Sequence, residues 1–161
     1  MRLFSVLRLF QGKATFRNLS RYSDMHEKRF SRWSRRAFDF AHFNARLIDH
    51  ELPESHERIA AIDASFMKKS GKHTEGLGYF YHSQAGKAEK GLEISLISLI
   101  DLNANTGYAI DAQQTLDVEE KSRVDLYGQH FHKVAPALKK AAIRYLAADS
   151  YYSKVKFIDA V

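Results

Sequence analysis

Between Gly91 and Leu102 the chain reads GLEISLISLIDL, a run rich in β-branched residues and leucine; NANTG interrupts it and YAIDAQQT (Tyr108–Thr115) resumes the extended pattern. Two such runs joined by a short Asn- and Gly-containing turn read as a hairpin. This constrains the fold more than any other stretch. Upstream, RIAAIDASFM (Arg58–Met67) alternates with the period of a strand, setting Ile62, Ala64 and Phe66 on one side and Ala61, Asp63 and Ser65 on the other. KKSGKHTEGLG between them is a basic, flexible connection. Three antiparallel strands are expected.

VEEKSRVDLYGQHFHKVA comes next, with Val124, Tyr127, Phe131, Val134 and Ala135 at helical spacing, and Pro136 is expected to end that helix. IRYLAADS reads as a short buried strand closing on Asp149, and SKVKFIDAV begins another helix. The order is βββαβα. A strand that comes after a helix and a three-strand meander can add in parallel beside the first by a right-handed crossover. Asp149 then lies next to Asp63. Two carboxylates on neighbouring strands repel unless a cation sits between them, and hard oxygen ligands suit Mg²⁺ or Mn²⁺.

The first part of the chain has a different texture. Up to about Asp49 it reads as short helices, with NLSRYSD as a joint and Phe30, Trp33, Ala37 and Phe40 as one apolar stripe; HELPESH links these helices to the strand at Arg58. Residues 1–56 are therefore taken as a small helical region and 57–161 as an α+β core. Residues 1–46 hold eleven Lys/Arg against three Asp/Glu, nine of the eleven being arginine, while residues 47–161 hold fourteen against sixteen. Concentrated arginine suits phosphate oxygens and points to nucleic acid or an anionic surface. A solvated basic helix over an aromatic core is one reading; a helix-turn-helix-like module laying Arg29–Arg36 on DNA is the other. The chain of 161 residues has no cysteine, which excludes disulfides and thiolate zinc sites and suits a reducing cytoplasm. Arg8 breaks the apolar opening MRLFSVLRLF, so no export signal and no membrane span are expected.

IAAIDASFMKKSGKHTEGLGYFYH, GLEISLISLIDL and IRYLAADSYYSKVKFIDAV, in this order and spacing, resemble the DDE-type transposases of bacterial insertion sequences, a superfamily of endonucleases. TFRNLSRYSDMHEKRFSRWSRRAFDFAHFN is similar to the DNA-binding leader of such enzymes. The resemblance implies a ribonuclease-H-like fold and a site of two aspartates and a later glutamate holding two divalent ions, Mg²⁺ or Mn²⁺. It assigns Asp63 and Asp149 as catalytic metal ligands. It also implies cleavage of double-stranded DNA at an element's terminal repeats and strand transfer by the freed 3′-hydroxyl, in homo-oligomers or mixed oligomers at the bacterial nucleoid. The third carboxylate belongs on a later helix and is not found before Val161; Glu119, Glu120 and Asp159 lie too near Asp149, in the wrong elements. The expectation is thus an incomplete catalytic core that keeps DNA binding through Arg17, Arg21, Arg29, Arg32, Arg35 and Arg36. A transposition repressor and a small nuclease with another third ligand are the alternatives.

Other features carry less. SGKHTEG departs from a phosphate-binding loop, because His73 follows Lys72 and Phe66 stands where the first glycine belongs. Lys68, Lys69 and Lys72 are read either as DNA-backbone contacts or as a solvated loop. His130 and His132, two apart on a helix, diverge and make a poor zinc pair. Trp33 is expected to anchor a core, and Asp111 to be exposed.

Overall fold

The computed structural model describes residues 2–116 and 120–161 and has an α+β architecture with a mixed sheet. It divides into two compact units, residues 1–38 and 39–161. In the first, α1 (Arg2–Leu9), α2 (Phe16–Arg21) and α3 (Glu27–Ser34) enclose Val6, Leu19, Met25 and Phe30, with Trp33 packed half-buried against them. Each of the later two helices starts on a side-chain cap: the Asn18 amide donates to Thr15 Oγ1 at 3.1 Å and the Lys28 amide to His26 Nδ1 at 3.2 Å.

The second unit begins with α4 (Phe40–Glu51), capped by Asp39, whose Oδ1 accepts from the His42 amide at 2.9 Å. Phe30, Trp33, Ala37 and Phe40 therefore do not form one stripe as expected. The chain leaves α3 at Ser34, and Asp39 starts a new helix, so their common spacing spans two helices. Ala41, Ala45 and Ile48 place α4 in the core of this second unit, although it precedes the expected boundary at residues 56/57.

The sheet consists of β1 (Arg58–Lys68), β2 (Gly78–His82), β3 (Lys87–Asp101), β4 (Thr106–Gln114) and β5 (Leu146–Ala148). Gly91 pairs with Lys68 on one side and Gly78 on the other, and Ile97 pairs with Ile62 and with Asp111. β2 and β4 therefore share the edge of the long β3 that faces away from β1. β2 is an addition to the expected βββαβα order. It follows directly on the basic connection Lys68–Gly78, in a stretch given no element from the sequence, because it pairs with Lys87–Gly91, a polar start of β3 with no apolar alternation. Gly91 is glycine for a steric reason: a Cβ there would stand 2.4 Å from the Phe66 ring and 2.5 Å from the Met67 carbonyl.

One face of the sheet carries the core. Glu93, Ser95, Ile97, Leu99 and Asp101 alternate inward along β3, and α5 (Arg123–Lys140) covers them with Val124, Tyr127, His130, Val134, Ala137 and Leu138. The helix does not stop at Pro136, as expected, but runs four residues further. Pro136 sits on its exposed face between the buried Val134 and Ala137, where the carbonyl it leaves unpaired can face water while burial on both sides holds the helix together.

Asp111 is buried rather than exposed, and a β-bulge is the cause. Between Ile97 and Ser98 the β3–β4 register slips so that Ile110 is the extra residue, which turns both Ile110 and Asp111 inward. Asn44 of α4 donates its side-chain amide to the Ile110 carbonyl at 2.9 Å, satisfying an acceptor that the bulge removes from the ladder. Behind α5 the chain returns through β5, which pairs in parallel with β1: Ala60 with Leu146, Ala61 with Ala147, Ile62 with Ala148. The expected buried strand is an edge strand of three residues with Ala147 and Ala148 exposed, since nothing pairs beyond it in the strand order. A 3-10 turn (Ser150–Tyr152) and the short α6 (Val155–Ile158) complete the unit, anchored by Tyr152 and Phe157 in the core.

Candidate functional site

Extending the β1–β5 register by one residue sets Asp149 beside Asp63 at the carboxyl end of the parallel pair. β5 stops there, so β1 beyond Ile62 has an open edge, and a cavity of about 790 Å³ occupies it. Its lining brings together Asp63 and Asp149 with Glu93, Arg123, Tyr127 and Tyr152.

The two aspartates are exposed and locally braced. Asp63 Oδ1 accepts from the Ala64 amide at 2.8 Å; Asp149 Oδ1 caps the adjoining 3-10 turn by accepting from the Tyr151 amide at 2.9 Å. Among the described residues no lysine or arginine forms an ion pair with either. Two carboxylates thus converge on one opening with no protein cation between them.

Sequence reasoning missed Glu93. A glutamate in an alternating apolar strand reads as a solvent-facing position, yet it points inward and is 7% exposed. Tyr127 donates its phenol to Glu93 Oε1 at 2.6 Å, and Arg123 Nη1 stands 3.6 Å from Oε2. Arg123 is itself held over the Phe80 ring, 4.8 Å from its centroid, and donates to the Tyr79 carbonyl at 3.2 Å. Both oxygens of Glu93 are therefore engaged by the protein. No sequence signal marks this partnership, because Tyr127 lies 34 residues away.

Tyr152 is the second missed residue. Its ring packs on Tyr127 and Phe157 at centroid distances of 5.2 and 5.0 Å, and its hydroxyl is buried with no hydrogen-bond partner among the described residues. Burial raises its pKa above the usual phenol value first, and Asp63, Asp149 and Glu93 push it in the same direction. Three carboxylates thus act on one phenol in the same direction as burial, favouring its protonated form. Tyr127 is raised likewise, by burial and then by Glu93.

Mg²⁺ and Mn²⁺ fit this donor set in part. Asp63 and Asp149 are hard oxygen ligands on rigid neighbouring elements, and Mg²⁺ commonly takes only one or two carboxylates and keeps its waters. A third protein carboxylate is lacking: among the described residues no group of three or more His, Cys, Asp or Glu is placed to hold an ion. Glu120 and Asp159 are exposed and line no part of the cavity; Glu119 lies outside the described residues.

Of the expected DNA contacts, Arg29, Arg32 and Arg36 come together with Trp33 around one hollow in the first unit, and the Arg29 guanidinium stands 5.3 Å from the Trp33 ring centroid. Arg35 is the C-cap of α3; Arg17 and Arg21 are on α2. Lys68 ends β1, and Lys69 shares a hollow with it; Lys72 is exposed in the connection to β2. His130 and His132 do diverge. His132 is exposed, whereas His130 is fully buried with Nδ1 2.9 Å from Ser95 Oγ and Nε2 3.2 Å from Asp111 Oδ2, which Lys133 also reaches at 2.7 Å. Nε2–H donates to the carboxylate, leaving Nδ1 to accept the serine hydroxyl. The residue types match a hydrolase relay, but Ser95 is 2% exposed and does not line the carboxylate cavity, so the trio braces α5 onto the sheet.

Compared with protein-family profiles, curated proteins and solved structures, the chain has no match. No helix among the described residues is long and apolar enough to cross a membrane.

Proposed function

We propose that this chain carries the two-aspartate part of a DDE-type transposase site on a ribonuclease-H-like sheet, with the arginine-rich first unit binding double-stranded DNA. The observation that carries the reading is the parallel β1–β5 register, which lines Asp63 up with Asp149 at the open end of the sheet. The strand order supports it too: β1, β3 and β4 form an antiparallel meander and β5 returns through α5 to lie parallel to β1 on the far side.

In this reading Asp63 and Asp149 hold Mg²⁺ or Mn²⁺ and align a scissile phosphodiester against them. Held by these two carboxylates, such ions would supply Lewis-acid stabilisation of charge on phosphate oxygens. Tyr127 and Arg123 hold Glu93 away from ligand duty. Because the described residues supply two of three expected carboxylates, the function assigned to them is metal-assisted DNA binding rather than complete strand transfer. Transposition ends, a second copy of the chain and full-length enzyme are the corresponding partners.

Titration calorimetry with Mn²⁺ tests the site. The unaltered protein is expected to bind weakly, and Asp63→Asn and Asp149→Asn each to abolish that binding while leaving the thermal unfolding midpoint in place. Equal Mn²⁺ binding by all three proteins removes the reading.

A further inference from the structure

The β2–β3 tip, adjoining the cavity, sets two exposed tyrosines beside the lysines of the β1–β2 connection. On β2 the side chains alternate strictly: Phe80 is buried, while Tyr79 and Tyr81 are 70% and 63% exposed on the opposite face. Tyr79 pairs across the ladder with Lys90 and Tyr81 with Ala88, so two aromatic rings and a lysine share one solvent face. Tyr81 also lines the carboxylate cavity, which makes the two surfaces continuous. Beside them Lys68, Lys69, Lys87 and Lys90 surround a single hollow.

Charge singles out this tip. Residues 68–90 hold five lysines and two glutamates, whereas the rest of residues 47–161 holds nine cations against fourteen acidic residues. Glu89 takes up part of the positive charge, 3.9 Å from Lys68 and 3.6 Å from Lys87; Lys69, Lys72 and Lys90 have no ion pair among the described residues. A basic strip bordered by exposed tyrosines is the surface chemistry that takes a polyanion with flat, apolar faces.

We propose that Tyr79 and Tyr81 form a stacking platform for unpaired nucleotides, with Lys69 and Lys90 following the phosphates, so that the tip holds single-stranded nucleic acid beside the cavity. Residues two apart on a strand are about 6.8 Å apart, twice the 3.4 Å spacing of bases along a stacked strand. The two rings therefore engage bases that have been drawn apart. A duplex hides its base faces inside the stack and offers this platform only phosphates. The inference rests on the nucleic-acid reading of the chain, but not on the metal site.

The test uses the full chain and fluorescence anisotropy of a labelled oligothymidylate and of a mixed-sequence duplex, at two salt concentrations. Each stacked base is worth roughly five- to a hundredfold in affinity. The double variant Tyr79→Ala, Tyr81→Ala is expected to bind oligothymidylate at least tenfold more weakly, with duplex binding unchanged. Tyr79→Phe, Tyr81→Phe should stay within about threefold of the unaltered protein, because the ring is retained. Unchanged oligothymidylate affinity in the alanine variant overturns the proposal, as does an equal loss for single strand and duplex. If sedimentation shows that the tyrosines instead hold two copies of the chain together, the platform is a protein interface and the proposal also falls. Buffer free of divalent ions separates this idea from the metal reading: the tyrosine effect on oligothymidylate should persist there, while Mn²⁺ binding is measured on its own by calorimetry. Loss of the tyrosine effect with Mn²⁺ binding preserved sinks only the platform; the reverse pattern sinks only the metal site.

Discussion

Tyr127 donates its phenol to Glu93 at 2.6 Å in the covered floor of the cavity, while Tyr152, packed 5.2 Å away ring to ring, has a buried hydroxyl with nothing to donate to among the described residues. The same chemical group thus has opposite energetic signs at two adjacent positions. A buried hydrogen bond to a charged acceptor is worth roughly 1.5–3 kcal/mol, whereas an unmade one is a cost.

Replacing each tyrosine by phenylalanine separates the two. Tyr127→Phe should lower unfolding stability by about 1.5–3 kcal/mol, because Glu93 loses its closest donor inside the protein. Tyr152→Phe should leave stability unchanged or raise it. Urea denaturation of both variants measures this, and a clear loss in Tyr152→Phe would show that its hydroxyl has a partner in solution.

His130 sets a pH dependence. Burial depresses its pKa below the usual histidine value, against the smaller opposing pull of Asp111, so the folded state keeps it neutral where the unfolded chain takes up a proton. Stability on its account is complete above the unfolded value of about 6.5 and falls as pH drops below it, until the folded pKa is passed. The slope is at most about 1.4 kcal/mol per pH unit for one proton. Denaturation midpoints between pH 7 and 5 should decline in the unaltered protein and decline less in His130→Gln, whatever that variant's absolute stability. Parallel curves would show that His130 does not contribute.

The arginine hollow of the first unit makes a quantitative claim about salt. If Arg29, Arg32 and Arg36 each neutralise one phosphate, the triple alanine variant should flatten the log affinity against log salt slope for duplex DNA by about 2.7. Anisotropy titrations across a salt series give the slope directly. An unaltered slope places the DNA contact elsewhere.

How much of this was legible can be judged residue by residue. Period-two alternation marked β1, β3 and β4 because each has one buried face, and those strands implied the crossover that brings Asp149 to Asp63. Alternation fails where the backbone departs from regularity. Asp111 reads outward until the bulge at Ile110 reverses it. β2 was silent because its partner segment, KAEKG, has no apolar rhythm. Helical spacing from Phe30 to Phe40 was real but ran across a break, since spacing carries no record of the cap at Asp39. Pro136 misled in the opposite direction, because exposure on the outer face of α5 is a tertiary fact. Glu93, Tyr127 and Tyr152 required the folded chain, their partnership being made by packing between distant segments.

The sheet ends at β5 on three residues whose outer edge carries no charged side chain: Leu146, Ala147 and Ala148. Unpaired amides and carbonyls on such a border are a template for another strand, and natural edges are usually blunted by lysine, proline or a bulge. The one such device present is brevity: three residues leave little backbone for an added strand to pair with. A visiting strand at the border beside the cavity would therefore find a foothold no longer than Leu146 to Ala148.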